Sequence, residues 1–140
     1  MYKPKHFKLQ ELVPPEVYNN TENKINLWFL FDERALKTLD TLRDMYGIVL
    51  VNNWLWGGNF KYSGYRPPHS DVGAPRSQHR FGRAFDCKFD FVDSGEVRED
   101  VLSNPELFPH ITTLEVEIGW FHFDTRNWDR SENGIFLVKP

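Results

Sequence analysis

Two short segments carry the residue types that do chemistry. One is Ser77-Gln78-His79-Arg80-Phe81-Gly82-Arg83-Ala84-Phe85-Asp86, and the other is Gly119-Trp120-Phe121-His122-Phe123-Asp124-Thr125-Arg126. Together they offer two imidazoles and a carboxylate, His79, Asp86 and His122, a donor set that suits Zn²⁺. A catalytic zinc commonly keeps three protein ligands and leaves a fourth position open, which is the count available here. Zinc held in this way lowers the pKa of water toward ~7, and a nearby carboxylate can take the proton and pass it to a leaving amine. The chemistry these residues point to is hydrolysis of a peptide bond.

Spacing says how the groups are brought together. His79 and Asp86 are 86 − 79 = 7 residues apart with Gly82 between them. A glycine tolerates the positive φ of a turn that would carry His79 back onto a strand holding Asp86. The small Ala84 falls on the Asp86 face of that strand and leaves room beside the carboxylate. In the second segment, alternation puts Trp120, His122 and Asp124 on one face and Phe121 and Phe123 on the other. Upstream, Glu115 and Glu117 alternate with Leu114, Val116 and Ile118, so both glutamates are expected on one face, within reach of the activated water. A solvated strand face also carries alternating glutamates.

The pattern Ser-x-His-x-x-Gly-x-Ala-x-Asp followed by Trp-x-His resembles the zinc D-Ala-D-Ala carboxypeptidases, dipeptidases and phage L-alanyl-D-glutamate endolysins, with every fixed position of the first motif present. The His-x-Asp-x-Arg that ends at Arg126 is similar to the small, often phage or prophage, members of that family. The motifs span about residues 63 to 126, and the first 60 residues rest on pattern alone. The resemblance implies that His79, Asp86 and His122 are zinc ligands and that Ser63-Gly64-Tyr65-Arg66 matches the family's Ser-Gly-Tyr-Arg element. Arg66 would then orient or polarise the substrate carbonyl, and Ser77 would support His79 or contact the peptide. Many members place the catalytic acid three residues before the second His, where this chain has Gly119. The role moves to Glu115, which lies 122 − 115 = 7 residues before His122, a distance at which small members carry Leu-Glu. Glu117 stands second. Asp124 stands third, because a carboxylate two residues past a ligand more often orients that His or an arginine.

The resemblance further implies a zinc metallopeptidase cutting a peptidoglycan stem peptide, as a carboxypeptidase or an endopeptidase, on a hedgehog/DD-peptidase-like fold. A phage or prophage origin is implied, with the protein in the host cytoplasm until its release to the cell wall, or associated with the virion. The alternative is a non-catalytic zinc-containing binding or structural protein of the virion with the same fold, and Gly119 is the residue that favours it.

The elements that must position these groups are read from periodicity. Asp32 is a good N-cap, and Leu36, Leu39, Leu42 and Met45 follow at helical spacing until Gly47, which predicts a helix over 32–46. Ile48-Val49-Leu50-Val51 reads as a buried strand directly after it. From Trp56 to Arg76 the density of Gly and Pro predicts a long loop, and long loops in compact domains are commonly functional. Arg83 to Phe91 reads as a strand with Phe85, Cys87, Phe89 and Phe91 on its apolar face. Ser94 is expected to cap a second helix closed by Pro105, with strands near 112–118, 120–125 and 134–139. A short helical piece is expected near Leu9–Leu12, then loop wrapped on the core. Without βαβ alternation, the expected class is α+β, a small antiparallel sheet with flanking helices.

Composition bounds the rest. The 140 residues make one domain, expected as a monomer. Lys plus Arg is 17 and Asp plus Glu is 20, a net −3 that offers no basic surplus for a phosphate backbone, so no nucleic-acid partner is expected. Mean hydropathy is −0.56, and no run approaches the roughly 20 apolar residues of a membrane span. Met1-Tyr2-Lys3-Pro4-Lys5-His6 is not followed by the apolar segment of a secretory signal, and none is expected. The lone Cys87 excludes a Cys-rich zinc module and reads as a small buried apolar residue. His69 and His110 sit beside prolines and read as loop surface. Trp54, Trp56 and Phe60 read as core before they read as a stacking platform for a sugar or peptide.

Overall fold

The computed structural model describes residues 1–140. A 3-10 turn at Leu9–Glu11 falls where the short helical piece is expected. It is followed by helix α1 (Pro15–Asn19) and a second 3-10 turn over Lys24–Leu30, neither of which the Pro- and Asn-rich sequence signals. Helix α2 (Glu33–Tyr46) begins where expected, because the Asp32 carboxylate accepts the Arg34 backbone N–H at 2.9 Å and so satisfies a donor left free at the helix start. Its Ala35, Leu36, Leu39 and Leu42 are buried, while Met45 is exposed in the final turn.

Strand β1 is shorter than the apolar run suggests, Val49–Leu50, paired antiparallel with Phe89 and Lys88. It stops because Asn52 turns to other work. Its backbone N–H donates to the Glu11 carbonyl, and its side chain donates to the Val13 carbonyl and accepts the Ser63 N–H. Residues 57–77 contain no helix or strand, as the breakers predict. They are nonetheless tied down: Tyr65 N–H donates to the Leu12 carbonyl, Asp86 N–H to Ser63, and Arg66 N–H to His79.

Strand β2 (Ala84–Phe89) ends two residues short of the predicted limit, so Phe91 lies outside it and is 74% exposed. Helix α3 (Ser94–Ser103) is capped by Asp93, whose carboxylate accepts the Gly95 N–H at 2.7 Å, and not by Ser94. Strands β3 (Thr113–Glu115) and β4 (Phe121–Asp124), the short helix α4 (Arg130–Asn133) and strand β5 (Phe136–Val138) complete the chain.

The class is α+β, with the five strands in the order β1-β2-β4-β3-β5. The sheet is mixed, which corrects the expectation of a purely antiparallel one. The two edges of β4 are taken by β2 and β3, so β5 returns past β3 and pairs on its free edge, running parallel to it. A continuous cluster of buried side chains joins Leu36, Leu39 and Leu42 of α2, Val97 and Val101 of α3, and Phe85, Cys87, Phe121 and Phe123 of β2 and β4. The apolar sides of β2 and β4 thus anchor in the core, and the alternation of the pleat turns Asp86 and His122 the other way. No helix is long and apolar enough to cross a membrane.

Candidate metal centre

The register of β2 on β4 sets Asp86 directly opposite His122 and Ala84 opposite Asp124. Antiparallel partners on one face come within side-chain reach of each other. His79 arrives from outside the sheet, on a 3-10 turn (Gln78–Phe81) that ends at Gly82 with φ of +67°, and the chain then enters β2. The donor atoms of His79, Asp86 and His122 all lie within 4.8 Å of one another, and this group can hold a metal ion. His79 and His122 are buried, and Asp86 is largely so.

The surrounding hydrogen bonds decide which atoms face the shared space. The Gly64 carbonyl lies 2.9 Å from His79 Nδ1, so that nitrogen carries the proton and Nε2 presents a lone pair. Nε2 faces Asp86 Oδ1 at 3.4 Å, lone pair toward carboxylate oxygen. Two acceptors so placed repel unless a proton or a cation lies between them. Burial holds the His79 imidazole below its ordinary pKa, against the pull of Asp86, which keeps it in the neutral form a metal needs. On the other side, Asp124 Oδ2 takes His122 Nε2 at 3.2 Å and leaves Nδ1 pointing at Asp86 Oδ1, 2.8 Å away. Such carboxylate and carbonyl partners fix ring orientation and tautomer in metal sites.

The two rings differ in charge, and His122 must give up its proton before it can bind a metal. Burial pushes His122 down, but the hydrogen bonds to Asp124 and Asp86 outweigh it and hold the ring at about 9. Burial raises Asp86 and the two imidazoles more than reverse this, so its carboxyl stays ionised well below the usual range. Asp124, also opposed by burial, is held at about 2 by Arg126 and His122. Arg126 grips it with Nε at 2.8 Å and Nη2 at 2.6 Å.

The ligand group opens into a cleft of about 500 Å³, lined by Arg66, Glu115, Trp120 and others. Glu115, the last residue of β3, brings Oε2 to 3.7 Å from His122 Nδ1. Glu117 does not share its face. β3 ends at Glu115, Glu117 adopts a left-handed φ of +62°, and its carboxylate turns out to Lys139 at 3.2 Å. Arg66 is nearly buried, with Nη2 at 3.2 Å from Asp86 Oδ2 and Nε on the Tyr62 carbonyl at 2.7 Å. Ser77 Oγ lies beside Arg66 Nη1 at 3.5 Å rather than on His79. Asp124 has both oxygens committed to His122 and Arg126, a positioning role. Gly119 is exposed, with open space where a side chain would start.

Sequence reading missed the Gly64 and Tyr62 carbonyls, because backbone acceptors leave no mark in residue types. The Asp124-x-Arg126 spacing did carry a signal, since alternate residues of an extended chain share a face. The Cys87 thiol is fully buried and pushed up by that burial, the inert behaviour expected of it. His69 is exposed, as are Trp56 and Phe60, whereas Trp54 donates to the Val13 carbonyl at 2.8 Å and packs on Tyr18.

No protein-family model, no curated protein and no solved structure matches this chain. The chemistry open to the cleft is therefore read from its own geometry. If Asp124 positions a ligand, Asp124→Ala is expected to weaken divalent-metal affinity by about 10- to 100-fold, measured by competition with a chromogenic chelator.

Proposed function

We propose that this protein is a zinc-dependent peptidase that hydrolyses a peptide bond in peptidoglycan stem peptides, on a hedgehog/DD-peptidase-like version of the α+β fold. The observation that carries the reading is the convergence of His79, Asp86 and His122, with a lone pair of His79 aimed at Asp86, beside the Glu115 carboxylate in an open cleft. Two imidazoles and one carboxylate fit zinc in a catalytic rather than a closed structural site. The motif resemblance supplies the substrate class, together with a phage or prophage origin and a place in the host cytoplasm before release to the wall or on the virion, and the single domain is proposed to act as a monomer.

Zinc bound to these three residues supplies Lewis acidity, which lowers the pKa of water and polarises a carbonyl. The chain's own groups do the rest. Glu115 accepts the proton of the attacking water as the new C–O bond forms and delivers it to the amine nitrogen as the C–N bond breaks. Arg66, already held by Tyr62 and Asp86, offers its guanidinium to the carbonyl oxygen where negative charge develops. Ser77 steadies Arg66 from the cleft wall and contacts the peptide. Asp124 and Arg126 keep the His122 ring from rotating.

The test is incubation of the zinc-supplemented protein with purified peptidoglycan, followed by amino-terminal labelling of the products. New amino groups that disappear with a chelator are expected. Bound zinc with no new amino groups would instead identify a non-catalytic zinc protein.

A further inference from the structure

Four cations gather in one cleft of a chain whose net charge is −3. Arg66, Arg76, Arg126 and Lys139 line it, against the carboxylates of Asp86 and Glu115. Three of these cations are already engaged: Arg66 with Asp86 at 3.2 Å, Arg126 with Asp124 at 2.6 Å, and Lys139 with Glu117 at 3.2 Å. Arg76 is different, because its guanidinium has no carboxylate within 4.0 Å and donates no hydrogen bond.

Its backbone, in contrast, is well placed. Arg76 lies in the turn Ala74-Pro75-Arg76-Ser77, closed by Ser77 N–H on the Ala74 carbonyl at 3.0 Å, with Pro75 at the position where its fixed φ suits a turn. Both flanks of this turn press on the buried arginine of the site. Ser77 Oγ sits 3.5 Å from Arg66 Nη1, and Gly73, at φ of +81°, lies so close that a Cβ there would stand 2.4 Å from the same nitrogen. A free, always-charged fork is thus mounted on the wall that carries Arg66, and such a fork recognises a carboxylate by paired N–H donors.

We infer that Arg76 is a specificity-determining residue whose unpaired guanidinium binds a carboxylate of the peptide lying in the cleft. This deepens the peptidase reading and rests on it for the peptide. The binding preference itself requires no turnover.

The test is calorimetric titration of the intact protein with the stem tripeptide L-Ala-γ-D-Glu-L-Lys and with the same tripeptide bearing carboxamides in place of its carboxylates. The carboxylate form is expected to bind about tenfold tighter, the scale of a charge-assisted hydrogen-bonded contact. Arg76→Gln should bring that ratio close to one while leaving the carboxamide affinity unchanged, and Arg76→Lys should restore part of it. Equal binding of the two peptides, a ratio that survives in Arg76→Gln, or no binding of either peptide overturns the inference. Arg76-dependent binding without cleavage in zinc would sink the peptidase reading and leave this one standing, and cleavage indifferent to the carboxylates would do the reverse.

Discussion

Glu115→Gln is expected to slow peptide hydrolysis by about 10²- to 10⁴-fold, the range over which a positioned general base acts, with zinc content unchanged. Glutamine keeps the shape of the side chain and removes its ability to take a proton. The position is fixed from behind: Arg98 of α3 donates to the carbonyls of Glu115 and Trp120, at 3.1 and 2.7 Å, and clamps the segment that leaves β3. From that anchor the Glu115 carboxylate reaches the edge of the ligand group. The loss should fall on kcat more than on KM, because proton transfer belongs to the transition state. Glu117→Gln serves as the control, since that carboxylate faces Lys139 on the surface and should leave the rate within about twofold of wild type. Full activity in Glu115→Gln would remove Glu115 from the mechanism.

The second large effect is on the fold itself. Gly82→Ala should lower the free energy of unfolding by about 1–2 kcal/mol from the left-handed backbone alone. Crowding adds to this, because a Cβ at Gly82 would sit 1.7 Å from the Leu30 carbonyl oxygen and 3.0 Å from Phe31 Cα, both backbone atoms with little freedom to yield. The Gly82 carbonyl also accepts the Asp32 N–H at 2.9 Å, so the approach ties the start of α2 to the end of the His79 turn. Urea unfolding followed by circular dichroism should show a lower midpoint with an unchanged slope. An unchanged midpoint would mean that this junction is not strained by a side chain. The glycine inside the metal-binding motif thus serves the fold as well as the site, by letting the turn that carries His79 lie against the Leu30–Asp32 segment.

Local signals in the sequence were strong where one residue type answers one physical need: Asp32 at a helix start, Gly82 at a left-handed turn, Phe85 and Phe123 alternating with charged neighbours on buried strands. The group His79, Asp86 and His122 was legible for the same reason: its donor types are those of a metal site, alternation puts Asp86 and His122 on the polar faces of two strands, and Gly82 marks the turn that brings His79 to them. Long-range pairing was not. Nothing within Phe136–Val138 states that it will run parallel to β3 rather than antiparallel to β4, because that choice depends on which sheet edge is still free. The fate of Glu117 was hidden for a related reason, as alternation continues in the sequence after the ladder has ended at Glu115. Arg76 sat in a stretch read only as loop, and its significance comes from what surrounds it rather than from its spacing.

The most direct test is the zinc content of the purified protein after dialysis against zinc and then against metal-free buffer, by elemental mass spectrometry. The three-ligand site predicts about one zinc per chain, falling below about a tenth in His79→Ala and His122→Ala proteins that remain folded. Less than about a tenth of an equivalent in the wild-type protein would contradict it, because a cleft without metal has no source for the Lewis acidity that the hydrolysis requires.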